Sequence, residues 1–574
     1  MSELVDTATV LSIKIDRHVC KLFLFDVVDE KYHLIATSEV QSTAFEPFND
    51  IREGIVRAID KIQTISGKTI IGSDSNIIIP SQPDGSGVDH LTITYGFMGF
   101  LKIVPMGLLD DVSIQSIVRL VSLTQIQVVD QISMNDTRKI DEIMSMFVNK
   151  KPDIVFLAGG TEHGATRSIL KLVDVFNYGT RLLAKEQRPD LIYAGNSQMA
   201  TKVKESVGDQ TNISISANIR PQIEFENFGP AQNKLAKVSA EVISRKIGGF
   251  HSIASICKNI PMPYSMTISI MTRFLSQLSN EPESSVLVID MNKEGSILAA
   301  GNQGTIGMET SQSTPTSDPT AFLKPNLINE IISWSYIHHA NDEIKTFLNN
   351  KAIHPSQIPE TESSLSIEQA LIRIYLQKQI RKLVMNWPNI PTVFNQVIVS
   401  GDVFANQLSR NDVLLTLLDS IQPFGITNFY LDIHGILPAL GSIAPENRFL
   451  PVQIMESSAI TLLSKVISAQ SNARFGSPLL KIRVEQDDSH QETFTVHKGS
   501  IFQLPILAGQ MARIFIEPLR KVEIDPLGRN FTKGLIVQGG LCGVIIDARG
   551  RPLPLPKDEA RRRDLLKKWR NSLA

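Results

Sequence analysis

The chain has 574 residues, of which 42% are hydrophobic and 20% charged, and this balance predicts several packed units and excludes wholesale disorder. The formal net charge is only −2 and the basic residues are scattered, so the sequence lacks the electrostatic signature of proteins that bind nucleic acids or anionic membranes. The three cysteines are widely separated, which disfavours a disulfide framework or a cysteine-built metal site.

The amino terminus carries acidic residues where a signal peptide would be basic. No apolar run approaches the roughly 20 residues that a membrane-spanning helix requires. We therefore expect a cytoplasmic protein.

Apolar strands are predicted near the start at 9–15 and 22–28, and they are expected to pair as a hairpin. The helical spacing of apolar residues over 50–65 predicts an amphipathic helix with one buried face.

The region that follows alternates between strand and helix patterns, which predicts right-handed βαβ crossovers and a doubly wound sheet over 85–235. One predicted strand, at 69–79, precedes this interval. Within the interval, strands are predicted at 91–95, 100–105, 127–132, 153–158 and 191–194. Helices are predicted at 113–122, 136–149 and 165–177.

The strand pattern of residues 10–16 recurs at 286–292, which indicates two related halves or a chance similarity of two apolar strands. A stretch rich in Gly, Ser, Thr and Pro at 301–320 is predicted to be a loop, and helical patterns dominate 325–386. Short alternating strands over 480–546 predict a β-rich domain, and the basic run 557–570 predicts a packed terminal helix.

One candidate ligand site lies where a buried strand ends at Gly159, Gly160 and Thr161 before a helix. Such a loop can hold an anion on backbone N–H groups and on the positive end of the helix dipole. The alternative interpretation is a tight strand-to-helix turn without a ligand.

A second strand ends at Gly195 and Asn196, and both strand ends should lie at the carboxyl edge of one sheet, where ligands of open α/β sheets bind. Arg220 is a candidate anion clamp, with an ordinary ion pair as the alternative. The motifs of standard hydrolases and metalloenzymes are absent, so no catalytic residue and no metal ligand is predicted.

Several blocks of the sequence, in this order, resemble the glutamate mutase L family, whose members are thought to accompany adenosylcobalamin-dependent mutases. The resemblance spans nearly the whole chain. The blocks that carry it lie at 25–28, 47–55, 156–161, 192–196, 217–221, 418–427 and 539–553.

This family looks like a branch of the acetate kinase, sugar kinase, heat-shock chaperone and actin superfamily. The resemblance implies an α/β fold with two similar actin-like halves, an inserted doubly wound βα unit and a small β-rich carboxy-terminal domain. The expected parts are 1–84 for the start of the first half, 85–235 for the insert, 236–445 for the second half and 446–574 for the β-rich domain with its terminal helix.

In that superfamily the first strand ends in a phosphate-binding Asp-x-Gly, whereas the matching positions here are Lys14 and Asp16. A lysine cannot bind magnesium, and the Asp16 carboxylate would repel a phosphate. The second phosphate loop keeps Asp290 but has Asn292 and Lys293 in place of glycines.

The motif on the adenosine side keeps only one glycine, Gly401, followed by Asp402. These departures imply a degenerate nucleotide-binding site, so no cofactor is expected. Binding of ATP with magnesium, or of metal-free nucleotide through Lys14 or Lys293, is the alternative. Phe97 and Met98 are expected to fill part of any pocket beside them.

Three functions are consistent with these observations. The first is a non-catalytic accessory protein with a protein partner, in particular a cobalamin-dependent mutase. The second is an ATP-dependent reactivating chaperone of such a mutase. The third is an enzyme that binds an anionic small molecule at the central βα unit. The sequence does not indicate an oligomeric state.

Overall fold

The computed structural model describes residues 8–97, 99–278, 285–292, 295–312, 314–315, 326–355, 357–407, 409–457, 459–487, 490–525 and 534–573. The chain divides into two compact units. Unit 1 comprises Met1–Ile270 and Pro438–Gln453, and unit 2 comprises Met271–Leu437 and Ile454–Ala574. Within the described ranges, no helix is long and apolar enough to cross a membrane.

The first 278 residues contain short strands alternating with helices. The strands are β1 (Val10–Asp16), β2 (Val19–Val28), β3 (Lys31–Gln41), β4 (His90–Gly96), β5 (Lys102–Gly107), β6 (Gln127–Val128), β7 (Ile132–Ser133), β8 (Ile154–Ala158), β9 (Asp190–Tyr193), β10 (Ile213–Ile215) and β11 (Met262–Pro263). The helices are α1 (Arg52–Ser66), α2 (Gln115–Ser122), α3 (Ile140–Lys150), α4 (Arg167–Arg181), α5 (Ala200–Val207), α6 (Gly229–Lys246), α7 (Phe250–Ala254) and α8 (Tyr264–Leu278).

The first sheet of unit 1 has the strand order β11-β4-β1-β2-β3. β1, β2 and β3 are antiparallel neighbours, which confirms the predicted hairpin, and β4 is parallel to β1. Helix α1 confirms the helix predicted at 50–65, and it buries Ile55, Ile59 and Ile62 in one core with Leu11 and Ile13 of β1. Residues three or four apart share a helix face, so this spacing places one apolar stripe on the sheet.

The second sheet has the order β10-β9-β8-β5-β6, and its described pairings are parallel. One face packs against Phe147 of α3 and Phe176 of α4, and the other packs against Ile117 and Leu120 of α2. These residues make a doubly wound arrangement of the kind that the βα alternation predicts. All of its strands lie within the interval 85–235, whereas β4, from the same interval, belongs to the first sheet.

The strand predicted at 69–79 is wrong. Residues Ile71 and Ile77 form only an isolated bridge, because the chain between them reverses. Ser75 donates its amide to the carbonyl of Gly72, and the Asp74 carboxylate accepts the amide of Asn76. A turn built from these small polar residues prevents the apolar flanks from forming one continuous strand.

Residues 285–573 form the remaining elements. The strands are β12 (Ser285–Asn292), β13 (Gly295–Asn302), β14 (Thr305–Ser311), β15 (Gln396–Ser400), β16 (Gly425–Asp432), β17 (Thr461–Ser468), β18 (Pro478–Asp487), β19 (His490–His497), β20 (Ile501–Leu504), β21 (Met511–Pro518), β22 (Leu535–Gln538) and β23 (Val544–Asp547). The helices are α9 (Leu327–Trp334), α10 (Asn341–Ile353), α11 (Glu362–Asn386), α12 (Asp402–Ala405), α13 (Arg410–Ile421), α14 (Leu437–Ile443), α15 (Phe449–Glu456) and α16 (Glu559–Asn571).

The main sheet of unit 2 has the order β14-β13-β12-β15-β16-β17-β23-β20. Its strands β12, β13 and β14 are antiparallel neighbours and β15 is parallel to β12, as β1, β2, β3 and β4 are in unit 1. The similar strands at 10–16 and 286–292 are therefore the equivalent central strands of two sheets with the same topology. This duplication is the α/β fold with two similar halves that the family resemblance implies.

The loop predicted at 301–320 is wrong over its first part. Residues 301 and 302 end β13, and β14 begins at Thr305 after a turn in which Gly304 has a φ of 84°. The glycine allows the tight reversal, so the small residues here form a hairpin and not an irregular loop. Residues 316–320 lie outside the described part of the chain.

The β-rich region predicted at 480–546 contributes to two sheets. β18, β19, β21 and β22 form a separate antiparallel sheet, whereas β20 and β23 complete the main sheet of unit 2. The terminal helix α16 buries Leu566 and Trp569, as its apolar side predicts.

Two of the late sequence blocks meet in a buried network of charged side chains. Asp419 of α13 accepts hydrogen bonds from Arg373 Nε at 2.8 Å and from Arg549 Nη1 at 2.7 Å. Arg549 also makes two hydrogen bonds to Asp547, and Arg551 donates to the same carboxylate at 2.7 Å. All five side chains are at most 8% exposed. The network fixes α11, α13 and the end of β23 to one another, so we assign the motif residues in it a structural role.

Candidate functional site

The carboxyl ends of β8 and β9 bring two of the predicted glycine loops together. A Cβ atom on Gly195 would lie 2.5 Å from the carbonyl oxygen of Gly159, so this close approach of two backbones requires glycine. Gly160 lies beside Asn196, and its carbonyl oxygen accepts a hydrogen bond from Asn218 Nδ2 at 3.0 Å. Gly159, Gly160, Gly195 and Asn196 therefore belong to one cluster at this edge of the sheet, whereas the Thr161 carbonyl accepts the Gly164 amide within its own turn.

A carboxylate from the chain itself occupies this cluster. Glu162 accepts hydrogen bonds from the Ser197 amide at 3.2 Å, the Ser197 hydroxyl at 2.5 Å and Asn218 Nδ2 at 2.9 Å. Burial acts to raise the pKa of Glu162, but these hydrogen bonds outweigh burial and hold the pKa below its usual range. Groups that could bind an external anion are thus hydrogen-bonded to an internal one.

Asn196 has a local role in the same loop. Its side chain is fully buried, and its Oδ1 accepts the amide of Gln198 at 3.1 Å. The neighbouring His163 has a φ of 64°, and its Nδ1 lies 2.7 Å from Gln198 Nε2. These contacts cap the short helical turn that leads into α5, as asparagine does at many helix starts.

Arg220 does not point its charge into an open anion site. Its guanidinium donates to Glu226 at 2.6 Å, to Ser116 Oγ at 2.9 Å and to the carbonyl of Ile223 at 2.6 Å. The hydrogen bonds from Ser116 and Arg220, together with the charge of Arg119, outweigh burial and lower the pKa of Glu226. The ion pair that the sequence left open as an alternative is the one observed.

The turn between β1 and β2 has a second internal carboxylate. Asp16 Oδ1 accepts the backbone amides of His18 at 2.9 Å and Val19 at 2.6 Å. The resemblance implies that this turn corresponds to the first phosphate loop of the superfamily. One oxygen of the Asp16 carboxylate therefore already accepts both of these amides.

Lys14 lies on the same strand as Asp16, with its Nζ 4.4 Å from the centre of the Tyr264 ring. A cation over an aromatic face is stabilised there by the ring quadrupole. Phe97 is buried and packs edge-on against Phe45 and Phe100, and Met98 lies outside the described residues.

In unit 2 the equivalent strand end carries Asp290, which is fully buried and accepts a hydrogen bond from Asn292 Nδ2 at 3.1 Å. Lys293 lies outside the described residues. Gly401 has a φ of 96°, and a Cβ atom there would lie 2.2 Å from the carbonyl oxygen of Met291. The retained glycine therefore permits close packing of two strand ends, and Asp402 begins the short helix α12 that follows it.

The sequence-based reasoning missed Glu162, Asn218 and Glu226. Glu162 directly follows the motif at 156–161, and Asn218 lies within the motif at 217–221. Their separation in the sequence does not indicate that the two side chains form a hydrogen bond. Within the described ranges, no group of three or more His, Cys, Asp or Glu side chains could hold a metal ion.

Solved structures similar to the chain include a nucleotide-free diol dehydratase-reactivating factor, with 10% identity, a TM-score of 0.31 and coverage of 77% of this chain and 100% of that chain. Another is the activator of the 2-hydroxyisocaproyl-CoA dehydratase from Clostridium difficile with bound ADPNP, with 9% identity, a TM-score of 0.27 and coverage of 78% and 98%. A third is a xylulose kinase from Bifidobacterium adolescentis, with 9% identity, a TM-score of 0.30 and coverage of 79% and 94%.

No curated protein matches the chain. The family model for MutL protein matches residues 10–295, which include β1, the βα unit and β12. Over these residues the chain is similar to the MutL (glutamate mutase L) protein family, as the motifs within that range predict. The motifs at 418–427 and 539–553 lie outside the matched residues.

Proposed function

We propose that this protein is a non-catalytic accessory protein that acts on an adenosylcobalamin-dependent mutase through protein contacts, without binding nucleotide. The observation that carries the proposal is the Asp16 carboxylate, which accepts the two amides of the β1–β2 turn. A nucleotide phosphate would have to displace this carboxylate or approach it.

Charge repulsion and competition for hydrogen-bond donors both act on a phosphate at this turn. Two like charges about 4 Å apart repel each other by about 1 kcal/mol in bulk water and by about 4 kcal/mol at the effective dielectric constant near a protein surface. A phosphate would also need the amides that Asp16 already uses. Both effects disfavour phosphate at this turn.

The βα unit supports the same interpretation at an independent place. Glu162 accepts the Ser197 and Asn218 donors, and Glu226 pairs with Arg220. An enzyme that binds an anionic small molecule at this sheet edge would first have to break these contacts. The third hypothesis from the sequence therefore receives no support from the arrangement of the loops.

The proposed partner is inferred from the family resemblance, because members of that family are thought to accompany cobalamin-dependent mutases. The test is a titration of purified adenosylcobalamin-dependent glutamate mutase with this protein, with and without ATP and magnesium. We expect a complex whose dissociation constant is the same within twofold in both conditions. Absence of a complex in both conditions would contradict the proposed partner.

The alternative is an ATP-dependent reactivating chaperone of such a mutase. The duplicated sheet topology of the two units favours it as the second candidate, because two similar halves are what the resemblance implies for nucleotide-driven closure. This alternative predicts that ATP changes the affinity for the mutase by tenfold or more. That result would contradict an accessory role without nucleotide.

A further inference from the structure

A cavity of about 550 Å³ lies in unit 1 at the amino-terminal edge of the first sheet. Val10 and His90, the first residues of the paired strands β1 and β4, line it. Asp16 lies at the opposite end of β1, so this cavity is separate from the β1–β2 turn.

The far wall of the cavity is the segment 443–449, and hydrogen bonds hold this wall in place. Asn447 Nδ2 donates to the Tyr32 hydroxyl at 2.9 Å, and the Tyr32 amide donates to Gln453 Oε1 at 2.7 Å. Ser442 Oγ donates to Thr92 Oγ1 at 3.0 Å. A cavity whose wall is fixed in this way is largely formed before a ligand binds.

The lining combines an apolar surface with a small number of charged groups. Val10, Ile443, Pro445 and Phe449 supply the apolar part, and the Phe449 side chain is about half exposed. This composition is typical of sites that hold the body of a small organic molecule against an apolar wall and fix its orientation with a few polar contacts.

The charged groups leave an excess of one positive charge at the cavity. Lys258 pairs with Glu446 at 3.2 Å and lies 3.5 Å from His90 Nε2. The exposed Arg448 side chain also lines the cavity, and among the described residues its guanidinium makes no hydrogen bond or ion pair. With Lys258 balanced by Glu446, the guanidinium of Arg448 remains to bind an anionic group, and a guanidinium can hold a carboxylate through two parallel hydrogen bonds.

We propose that this cavity binds a small organic monocarboxylate with an apolar body. The carboxylate pairs with Arg448 and the body packs against Phe449 and Ile443. This inference does not depend on the proposed accessory role, since it concerns a different edge of the sheet from the phosphate-loop turn.

The test uses 4-phenylbutyrate as the probe and 4-phenylbutanol as an uncharged probe with the same body, with affinities measured by calorimetry on the full chain. We expect 4-phenylbutyrate to bind at least tenfold more tightly than the alcohol. Arg448→Gln should weaken the carboxylate at least fivefold and leave the alcohol unchanged. Phe449→Ser should weaken both probes.

The control is Arg381→Gln, the same change at an exposed arginine of unit 2, which should leave both affinities unchanged. Circular dichroism and thermal melting check that each variant is folded. The proposal is overturned if 4-phenylbutyrate does not bind, if both probes bind equally, or if Arg448→Gln binds the carboxylate as wild type does.

Discussion

At the scale of single residues, two carboxylates accept the backbone amides of the candidate anion-binding loops. Asp16 and Glu162 each accept backbone amides that follow a strand end. Such contacts satisfy donors that would otherwise need water or a ligand. In the proposed function, their negative charge also opposes the binding of a phosphate at these loops.

Substitution of Asp16 tests its local role. Asp16→Ala removes the acceptor from both turn amides, and we expect a loss of about 1 kcal/mol in the free energy of unfolding, the typical cost of removing a capping side chain. Asp16→Asn keeps an oxygen at the same place and should lose less than half as much. Urea denaturation measures both variants, and equal losses would contradict the role of the Oδ1 acceptor.

The close backbone contact at Gly195 allows a second test. Gly195→Ala would place a methyl group 2.5 Å from the carbonyl oxygen of Gly159, and we expect it to destabilise the chain by about 1–3 kcal/mol. Gly229→Ala, at the start of α6 with nothing within 4 Å of the added carbon, is the matched control and should be nearly neutral. A neutral Gly195→Ala would show that the two loops separate easily.

The sequence indicated the two glycine loops at the ends of β8 and β9 but not the carboxylate that is hydrogen-bonded to them. Gly159, Gly160, Gly195 and Asn196 follow strongly apolar strands, so the periodicity alone placed them at the same sheet edge. Glu162 reaches Ser197 across 35 positions of sequence. No local pattern records such a contact, because it depends on how two crossovers place their loops side by side.

At the scale of elements, the buried charges of unit 2 connect two helices to the end of β23. Burial acts to raise the pKa of Asp547, but the charges of Arg549 and Arg551 outweigh it and hold the pKa well below its usual range. Each charge in the network is compensated by a partner at hydrogen-bonding distance. Removal of one member leaves another charge buried without compensation, which is costly.

Asp419→Ala should therefore lower the free energy of unfolding by about 3–5 kcal/mol, because Arg373 and Arg549 both lose a buried acceptor. Asp342→Ala is the control, since Asp342 is exposed and its contact with Lys345 is a surface pair that should contribute less than about 1 kcal/mol. Denaturant unfolding compares the two, and a similar loss in both would contradict the structural role of the network.

The pH dependence of stability follows from the lowered pKa of Asp547. A carboxyl group with a lowered pKa stabilises the folded state above its unfolded pKa of about 4 and loses that contribution as the pH falls further. The difference in unfolding free energy between wild type and Asp547→Asn should be largest at pH 7 and should narrow below about pH 4. A difference that stays constant down to pH 3 would contradict this assignment.

Element prediction succeeded where the pattern was long and failed where turns interrupted it. The strand at 10–16 and its counterpart at 286–292 are continuous apolar runs, and both are central strands. The segment 69–79 contains apolar residues of the same kind, but its Gly-Ser-Asp-Ser turn reverses the chain. Turn chemistry therefore outweighed strand propensity in that segment.

At the scale of the whole molecule, two units of similar central topology arise from one duplicated strand pattern. The sequence predicted this duplication, because the strand patterns at 10–16 and 286–292 are similar and the family resemblance implies two similar halves. The partner and the absence of nucleotide remain proposals. They rest on the charges at the loops and on the family, and they predict a protein that recognises another protein without phosphoryl transfer.

The most direct test of this account is calorimetric titration of the purified wild-type chain with ATP, with and without magnesium. The account predicts no saturable heat in either condition, because Asp16 holds the amides of the β1–β2 turn. Binding with micromolar affinity, about −8 kcal/mol, would contradict it and would favour the ATP-dependent chaperone.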